Sequence, residues 1–175
     1  MRRLMLLRHA KTERADPGQR DRDRKLTKRG RDDAAVIGAY MARHGLAPDL
    51  ALVSPAKRAQ ETWALVAPAF AKAPRVVNDE RIYNAATDAL FKIIGETRGA
   101  HSLLVVGHNP SLSEFLGRLI SETGCEASTE LKKGAVAKVE TGRNSGVLLW
   151  SVTPRLVRDL YAAAAESSRP KTSRK

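Results

Sequence analysis

Leu4-Met5-Leu6-Leu7-Arg8-His9-Ala10 is an apolar run of strand length that stops abruptly at two basic, hydrogen-bonding side chains. Uninterrupted aliphatic residues over so short a stretch fit a strand buried on both faces of a sheet. The run is also too short for the apolar core of a signal peptide, so no secretion leader is read from it. Runs of the same kind recur at Leu50 to Val53, Arg75 to Val77, Ser102 to Val106, Val136 to Val139 and Val147 to Val152. Between them, helical spacing of apolar residues covers Thr27 to His44, Pro55 to Phe70, Asp88 to Arg98 and Pro110 to Ile120, with a further helical segment near Arg155 to Ala165. Strands that alternate with helices predict an α/β domain, with a mostly parallel central sheet of about six strands flanked by helices.

Thr27 stands where a helix cap belongs, and Ser54-Pro55 and Asn109-Pro110 each place a capping side chain before a proline at an expected first helical position. The segment from Thr12 to Lys25 holds Asp16, Pro17 and Gly18, alternates acids with arginines and lacks apolar periodicity, so it reads as a long surface loop. Residues 1–166 are expected to form one domain, and 167–175, a Ser/Pro/Lys/Arg stretch without an apolar side chain, a disordered basic tail. The length of 175 residues suits one domain with a sizeable core. Cys125 is the lone cysteine, which excludes an internal disulfide and any Cys-rich metal site and favours a reducing, cytoplasmic location. Nothing approaches the length of a membrane span.

The unusual polar residues fall at matching places on this scaffold. Arg8 and His9 follow the first strand, Arg58 lies near the start of the helix after the second, Glu80 follows the third, and His108 follows the fourth. In an open parallel sheet the ligand crevice lies at the carboxyl ends of the strands, so these distant segments are expected to converge. Two arginines and two histidines make a poor core and a good anion site, because guanidinium forks match phosphate oxygens and imidazoles add donors. The start of the helix at Pro110 would add a positive dipole end. A neutral histidine whose second ring nitrogen is held by a hydrogen bond is also a competent nucleophile toward phosphorus. The surrounding cations would neutralise the transferring group without a metal or cofactor, and Glu80 could protonate the departing oxygen.

Five motifs carry a resemblance: Leu7-Arg8-His9-Ala10, Leu26-Thr27-Lys28-Arg29-Gly30, Ser54 to Thr62, Asp79-Glu80-Arg81-Ile82-Tyr83, and Val106-Gly107-His108-Asn109-Pro110. In this order they resemble the histidine phosphatase superfamily, and more narrowly its SixA-type phosphohistidine phosphatases. The resemblance runs from Arg3 to about Val152 and implies a three-layer phosphoglycerate mutase-like fold. Motif by motif, His9 resembles the phosphorylated nucleophile, while Arg8, Arg58 and His108, with Asn109 beside them, resemble the phosphate- and substrate-binding residues. Glu80 resembles the acid of the mutase and general phosphatase branches, with Asp79 as the competing assignment. Two departures stand out. The common triplet ends in glycine where this chain has Ala10, so the strand exit should keep ordinary dihedrals. Only nine positions separate Asn78 from Thr87, which leaves little room for the inserted cap that shapes small-molecule pockets, and an open site suits a phosphoprotein.

The expected activity is therefore a metal-independent phosphatase acting through a phosphohistidine enzyme intermediate on protein phosphohistidine, releasing inorganic phosphate. A small-molecule phosphomonoesterase is the alternative within the family. A basic nucleic-acid-binding protein is the alternative outside it, because 31 Lys and Arg against 19 Asp and Glu give a formal charge of +12. Its eight aromatics are not interleaved with basic clusters, which argues against stacking platforms for single strands. From Arg155 onward, six Lys or Arg against two acids contribute +4 of that surplus. His44 and His101 have no motif around them and read as structural or solvent-facing. Cys125 has no neighbour to lower its pKa and reads as non-catalytic.

Overall fold

The first strand, β1 (Arg2–Arg8), shows how the sheet sorts its side chains. Successive residues point to opposite faces, so Met5 and Leu7 join one apolar cluster, Leu4 and Leu6 join the other, and all four are fully buried. The computed structural model describes residues 2–121, 127–142 and 145–167. Among these, five further strands follow: β2 (Leu50–Val53), β3 (Arg75–Asn78), β4 (Ser102–Gly107), β5 (Val136–Thr141) and β6 (Gly146–Val152). Five helices accompany them: α1 (Lys28–Arg43), α2 (Lys57–Val66), α3 (Thr87–Glu96), α4 (Ser111–Ile120) and α5 (Pro154–Ser167). The sheet order is β3-β2-β4-β1-β5-β6. The pairs β2–β3, β2–β4 and β1–β4 are parallel, whereas β5 runs antiparallel to both of its neighbours. This is the mostly parallel six-stranded sheet that the alternation of elements predicts.

Helices cover both faces. Buried residues of α1 fall at Gly30, Asp33, Ala34, Ile37, Gly38 and Met41, the spacing of one helical stripe, and α1, α2 and α5 pack with Met5, Leu104 and Val106. The opposite face packs Leu90 and Ile93 of α3 and Leu112, Phe115 and Leu116 of α4 against Leu103 and Val105. Two glycines of α1 are there because backbones come close. A Cβ at Gly38 would lie 2.9 Å from the Cα of Val66, and one at Gly30 only 2.1 Å from the carbonyl oxygen of Lys11. Gly30 thus lets the first turn of α1 rest on the chain just after His9 and Ala10.

Several boundaries and caps are corrected. Thr27 caps α1 as expected, its hydroxyl accepting from the Gly30 N–H at 2.9 Å. Ser54 and Asn109 do not cap their helices. The Ser54 hydroxyl faces His108, and the Asn109 amide donates instead to the Leu131 carbonyl. The helix expected from Pro55 to Phe70 begins at Lys57 and gives way to a 3-10 turn at Ala67–Ala69. That expected from Pro110 begins at Ser111, and that expected from Asp88 to Arg98 is α3, one residue earlier at its start and two shorter at its end. The loop from Thr12 to Lys25 is not wholly irregular, for it carries a 3-10 turn at Asp21–Asp23 and an isolated bridge between Thr12 and Leu26. A third 3-10 turn covers Glu80–Ile82. Cys125 and residues 168–175 lie outside the described residues, so the thiol and most of the expected tail are not part of this structure.

Candidate active site

The parallel strands bring their carboxyl ends to one edge of the sheet, and the polar residues that follow them meet there. Arg8 is the last residue of β1, with His9 directly after it, and His108 directly follows β4. Arg58 sits in the first turn of α2, slightly earlier in its helix than its spacing from Pro55 suggests. The rings of His9 and His108 lie 5.2 Å apart, and His9, Arg58 and His108 are each at most 7% exposed.

The hydrogen bonds fix His9 in a reactive form. Its Nδ1 lies 2.8 Å from the Ala10 carbonyl oxygen, which can only accept, so Nδ1 carries the proton and Nε2 keeps its lone pair. Burial pushes the His9 pKa down to about 3, with the Ala10 bond opposing and the charges of His108, Arg58 and Arg8 assisting. At neutral pH the ring is an uncharged imidazole. Ala10 has no positive φ, as expected, and its N–H donates to the Thr62 hydroxyl at 3.1 Å. That hydroxyl donates in turn to the Arg58 carbonyl at 2.7 Å, tying the exit of β1 to α2.

The cations are held from behind. Arg8 Nη1 and Asn109 Nδ2 both donate to the Leu131 carbonyl, at 2.8 and 3.1 Å. Burial also lowers the Arg8 pKa, against the attraction of Glu130, yet an arginine stays charged in any case. His108 Nε2 is 2.7 Å from the Ser54 hydroxyl, and burial, aided by Arg58, pushes its pKa down to about 4 despite the opposing pull of Asp21. Tyr83 stands edge-on to His108 at 5.9 Å and lies beneath the guanidinium of Arg58 at a similar distance. Arg8 Nε, His108 Nδ1 and Asn109 Oδ1 are buried without a hydrogen-bond partner among the described residues. Such groups cost roughly 1–3 kcal/mol each. All three belong to this pocket.

Around this floor runs an exposed rim. Arg58 Nη1 and Nη2 donate to the carbonyl and carboxylate of Asp21, at 2.7 and 2.9 Å. Glu80, 69% exposed at its side chain, pairs with Arg22 at 2.7 Å. Asp79 receives a fork of bonds from Arg81, which hold its carboxyl below the usual carboxylate range, and so carries no proton to donate near neutral pH. On the other side Asn109 and Pro110 also line an open groove of about 780 Å³, with Thr87, Glu114, Arg118 and Glu130. His44 and His101 are exposed, His44 directly after α1 and His101 directly before β4, at the end of that strand opposite His108, as their bare sequence context suggests. Among the described residues no three His, Cys, Asp or Glu side chains cluster as metal ligands would, and no helix is long and apolar enough to cross a membrane.

Of the residues singled out in the sequence, Arg8, His9, Arg58, His108 and Asn109 meet in this pocket and Glu80 stands on its rim, but the residues bonded to them were missed. Ser54, Thr62 and Tyr83 lie inside the quoted motifs, and their signal was hidden by a capping role for Ser54 and none for the others. Asp21 had no signal, because it is one acid in a loop of alternating charges.

Comparison with known proteins identifies the family and the fold. Residues 4–84 match the model of the histidine phosphatase superfamily (branch 1). An uncharacterised protein of Mycobacterium tuberculosis is 35% identical over 126 residues, 70% of this chain and 75% of that one. The crystal structure of a SixA from Agrobacterium tumefaciens is 30% identical and superposes with a TM-score of 0.76, over 87% of this chain and 98% of that one. A protein histidine phosphatase SixA complexed with tungstate, 20% identical, shares the fold with a TM-score of 0.75 over 89% of this chain and 99% of its own. With its phosphoglycerate mutase-like sheet and the motifs at its carboxyl edge, the chain belongs to the histidine phosphatase superfamily, in its SixA-type branch.

Proposed function

We propose that the protein is a metal-independent phosphatase that moves the phosphoryl group of a protein phosphohistidine first to His9 and then to water. The observation that carries this reading is the bond from His9 Nδ1 to the Ala10 carbonyl, which leaves the lone pair on Nε2 of a neutral, buried ring between Arg8, Arg58 and His108. Nε2 attacks phosphorus in line, the bond to the leaving nitrogen breaks, and the departing imidazole takes a proton. Arg8 and Arg58 neutralise the equatorial oxygens, where charge stabilisation contributes most to phosphoryl transfer. His108 and Asn109 complete the binding of the phosphoryl group. Water then attacks phosphorus on the opposite face of the enzyme phosphohistidine, releasing inorganic phosphate and restoring His9.

Glu80 is assigned the proton transfers in this scheme: released from Arg22, it must first take up a proton from solvent to give to the leaving nitrogen, and the resulting carboxylate then accepts the proton of the attacking water. The likeness to a SixA protein and the open groove beside Asn109 support a phosphoprotein as substrate. Two guanidinium groups supply the positive charge that a metal gives in other phosphatases. Chelators should therefore leave turnover unchanged.

The test is phosphate release from a phosphohistidine protein, a phosphoserine peptide and an aryl phosphate side by side, with wild type and His9→Ala. Turnover of phosphohistidine that is lost in the variant agrees with the proposal. Equal turnover of all three would keep the mechanism and move the substrate to small phosphoesters. Turnover near wild type in His9→Ala would remove His9 as nucleophile.

A further inference from the structure

The groove beside Asn109 belongs to the substrate side already described, and the exposed apolar residues Val147, Leu149, Leu156 and Leu160 have nothing on the surface to identify what would cover them. Asp21 is different. It is an anion standing in an anion site, and nothing in the mechanism uses it.

The Arg58 side chain is 7% exposed, and both of its terminal nitrogens are committed to Asp21, one to the main-chain carbonyl and one to the carboxylate Oδ2. The Tyr83 hydroxyl also donates to Oδ2, at 3.3 Å. The other carboxylate oxygen, Oδ1, has a separate partner in Arg24 Nη1 at 3.0 Å. Asp21 is itself half exposed, so it covers Arg58 from the solvent side, from which a phosphorylated substrate must enter. Its charge is felt at His108, on the far side of Tyr83. With both histidines neutral, Arg8 and Arg58 are the pocket's cations, and Asp21 is the anion bonded to one of them.

We propose that Asp21 is a specificity-determining residue that competes with the phosphoryl group for Arg58: its carboxylate is bonded to that guanidinium, and a phosphoryl group gains it only by displacing Asp21 toward Arg24. The inference rests on the phosphatase reading of the same pocket and adds a selection rule to it. An incoming anion must outcompete a carboxylate already in place. A phosphoryl dianion with three free oxygens does so through charge and through bonds to Arg8 and Arg58 together. A monoanion such as a phosphodiester brings no more charge than Asp21 and is turned away. The 3-10 turn that carries Asp21 is attached by side chains, through Arg58, through Arg22 to Glu80 and through Arg24 to Thr12 and Glu13 of the same loop, so the turn can yield without disturbing the sheet. Burial works to raise the Asp21 pKa, yet the bonds from Arg24, Arg58 and Tyr83 hold it below the ordinary range, so the competing charge is present at neutral pH.

The test uses the full chain and its Asp21→Asn variant, with Asp23→Asn as a control for general loop charge, since Asp23 pairs with Arg20 rather than with the pocket. Dissociation constants for inorganic phosphate and for dimethyl phosphate are measured by calorimetry at neutral pH, beside turnover of an aryl phosphate. Asp21→Asn should bind phosphate roughly tenfold more tightly, the effect of removing one charge-assisted bond that has to be broken. It should gain at least as much for dimethyl phosphate, while Asp23→Asn changes little. Phosphate binding by Asp21→Asn that is unchanged or weaker would overturn the proposal, making Asp21 a brace for Arg58, and an equal gain in Asp23→Asn would overturn it too. Either result with turnover intact leaves the phosphatase reading standing. Wild-type protein that neither binds phosphate nor hydrolyses any ester would overturn that reading and the proposal together.

Discussion

The floor and the rim of the pocket are built from the same kinds of side chain in different ways. On the floor, Arg8, His9 and His108 are at or just past strand ends, and Arg58 is in the first turn of a helix. Arg8 is half-buried and the other three are buried; the side chains of Arg8, His9 and His108 are fixed by a bond to main chain or to a hydroxyl, while Arg58 has its main chain tied by Thr62 and its guanidinium held by Asp21. On the rim, Asp21, Arg22, Glu80 and Arg24 sit on 3-10 turns and loops and are held by exposed ion pairs. Such pairs contribute little to stability, since water and salt compete for both charges. Under the proposed mechanism the difference divides the pocket into chemistry, which needs fixed geometry, and admission, which needs parts that can yield.

That separation can be broken by experiment. His9→Ala should lower turnover by at least on the order of a thousandfold while the far-ultraviolet dichroism stays native. Arg58→Lys should cost roughly a hundredfold in kcat/KM, because a point charge cannot reproduce the planar fork. A loss of only a few fold there would mean that the floor is not fixed by geometry at all.

Acid should expose the strain of burying two histidines. Both have folded pKa values, about 3 and about 4, below the ordinary 6.5. Above pH 6.5 the rings are neutral in both states and stability is full. Below it the unfolded chain takes up protons that the native rings refuse, so stability declines as pH falls from about 6.5, toward about 4 for His108 and about 3 for His9, by roughly 1.4 kcal/mol per unit of depression for each ring. Denaturant titrations across that range check the slope, and His9→Ala should flatten it. Tungstate should oppose the loss, because a bound dianion favours the imidazolium.

The rim gives the smaller effects. Glu80→Gln should slow alkyl phosphates more than phosphohistidine, since an alkoxide needs the proton more than an imidazole does. Equal losses would take the proton from another group. Arg22→Ala should leave the thermal midpoint unchanged, and a clear drop would show that the rim supports the fold after all.

The same division decided what could be read from the sequence. Each floor residue follows an apolar run whose period names a strand or helix, and topology does the rest, so Arg8, His9, Arg58 and His108 were legible before any geometry was known. The partners were not. Ser54 and Asn109 look like caps because they precede prolines, but one hydroxyl is taken by His108 and one amide by a carbonyl 22 positions away, and no local pattern encodes either. Asp21 was hidden for the same reason, since a loop without periodicity gives no hint of which of its acids turns inward. The reversed direction of β5 was equally silent in its own residues.

Gly30, on the first turn of α1, carries neither charge nor side chain, yet a single methyl there would press on the carbonyl of Lys11, two residues after His9. The chemistry of this protein therefore has a point of inherited vulnerability far outside its chemical inventory. A lineage could lose the enzyme by a change that any comparison of active-site residues would pass as intact.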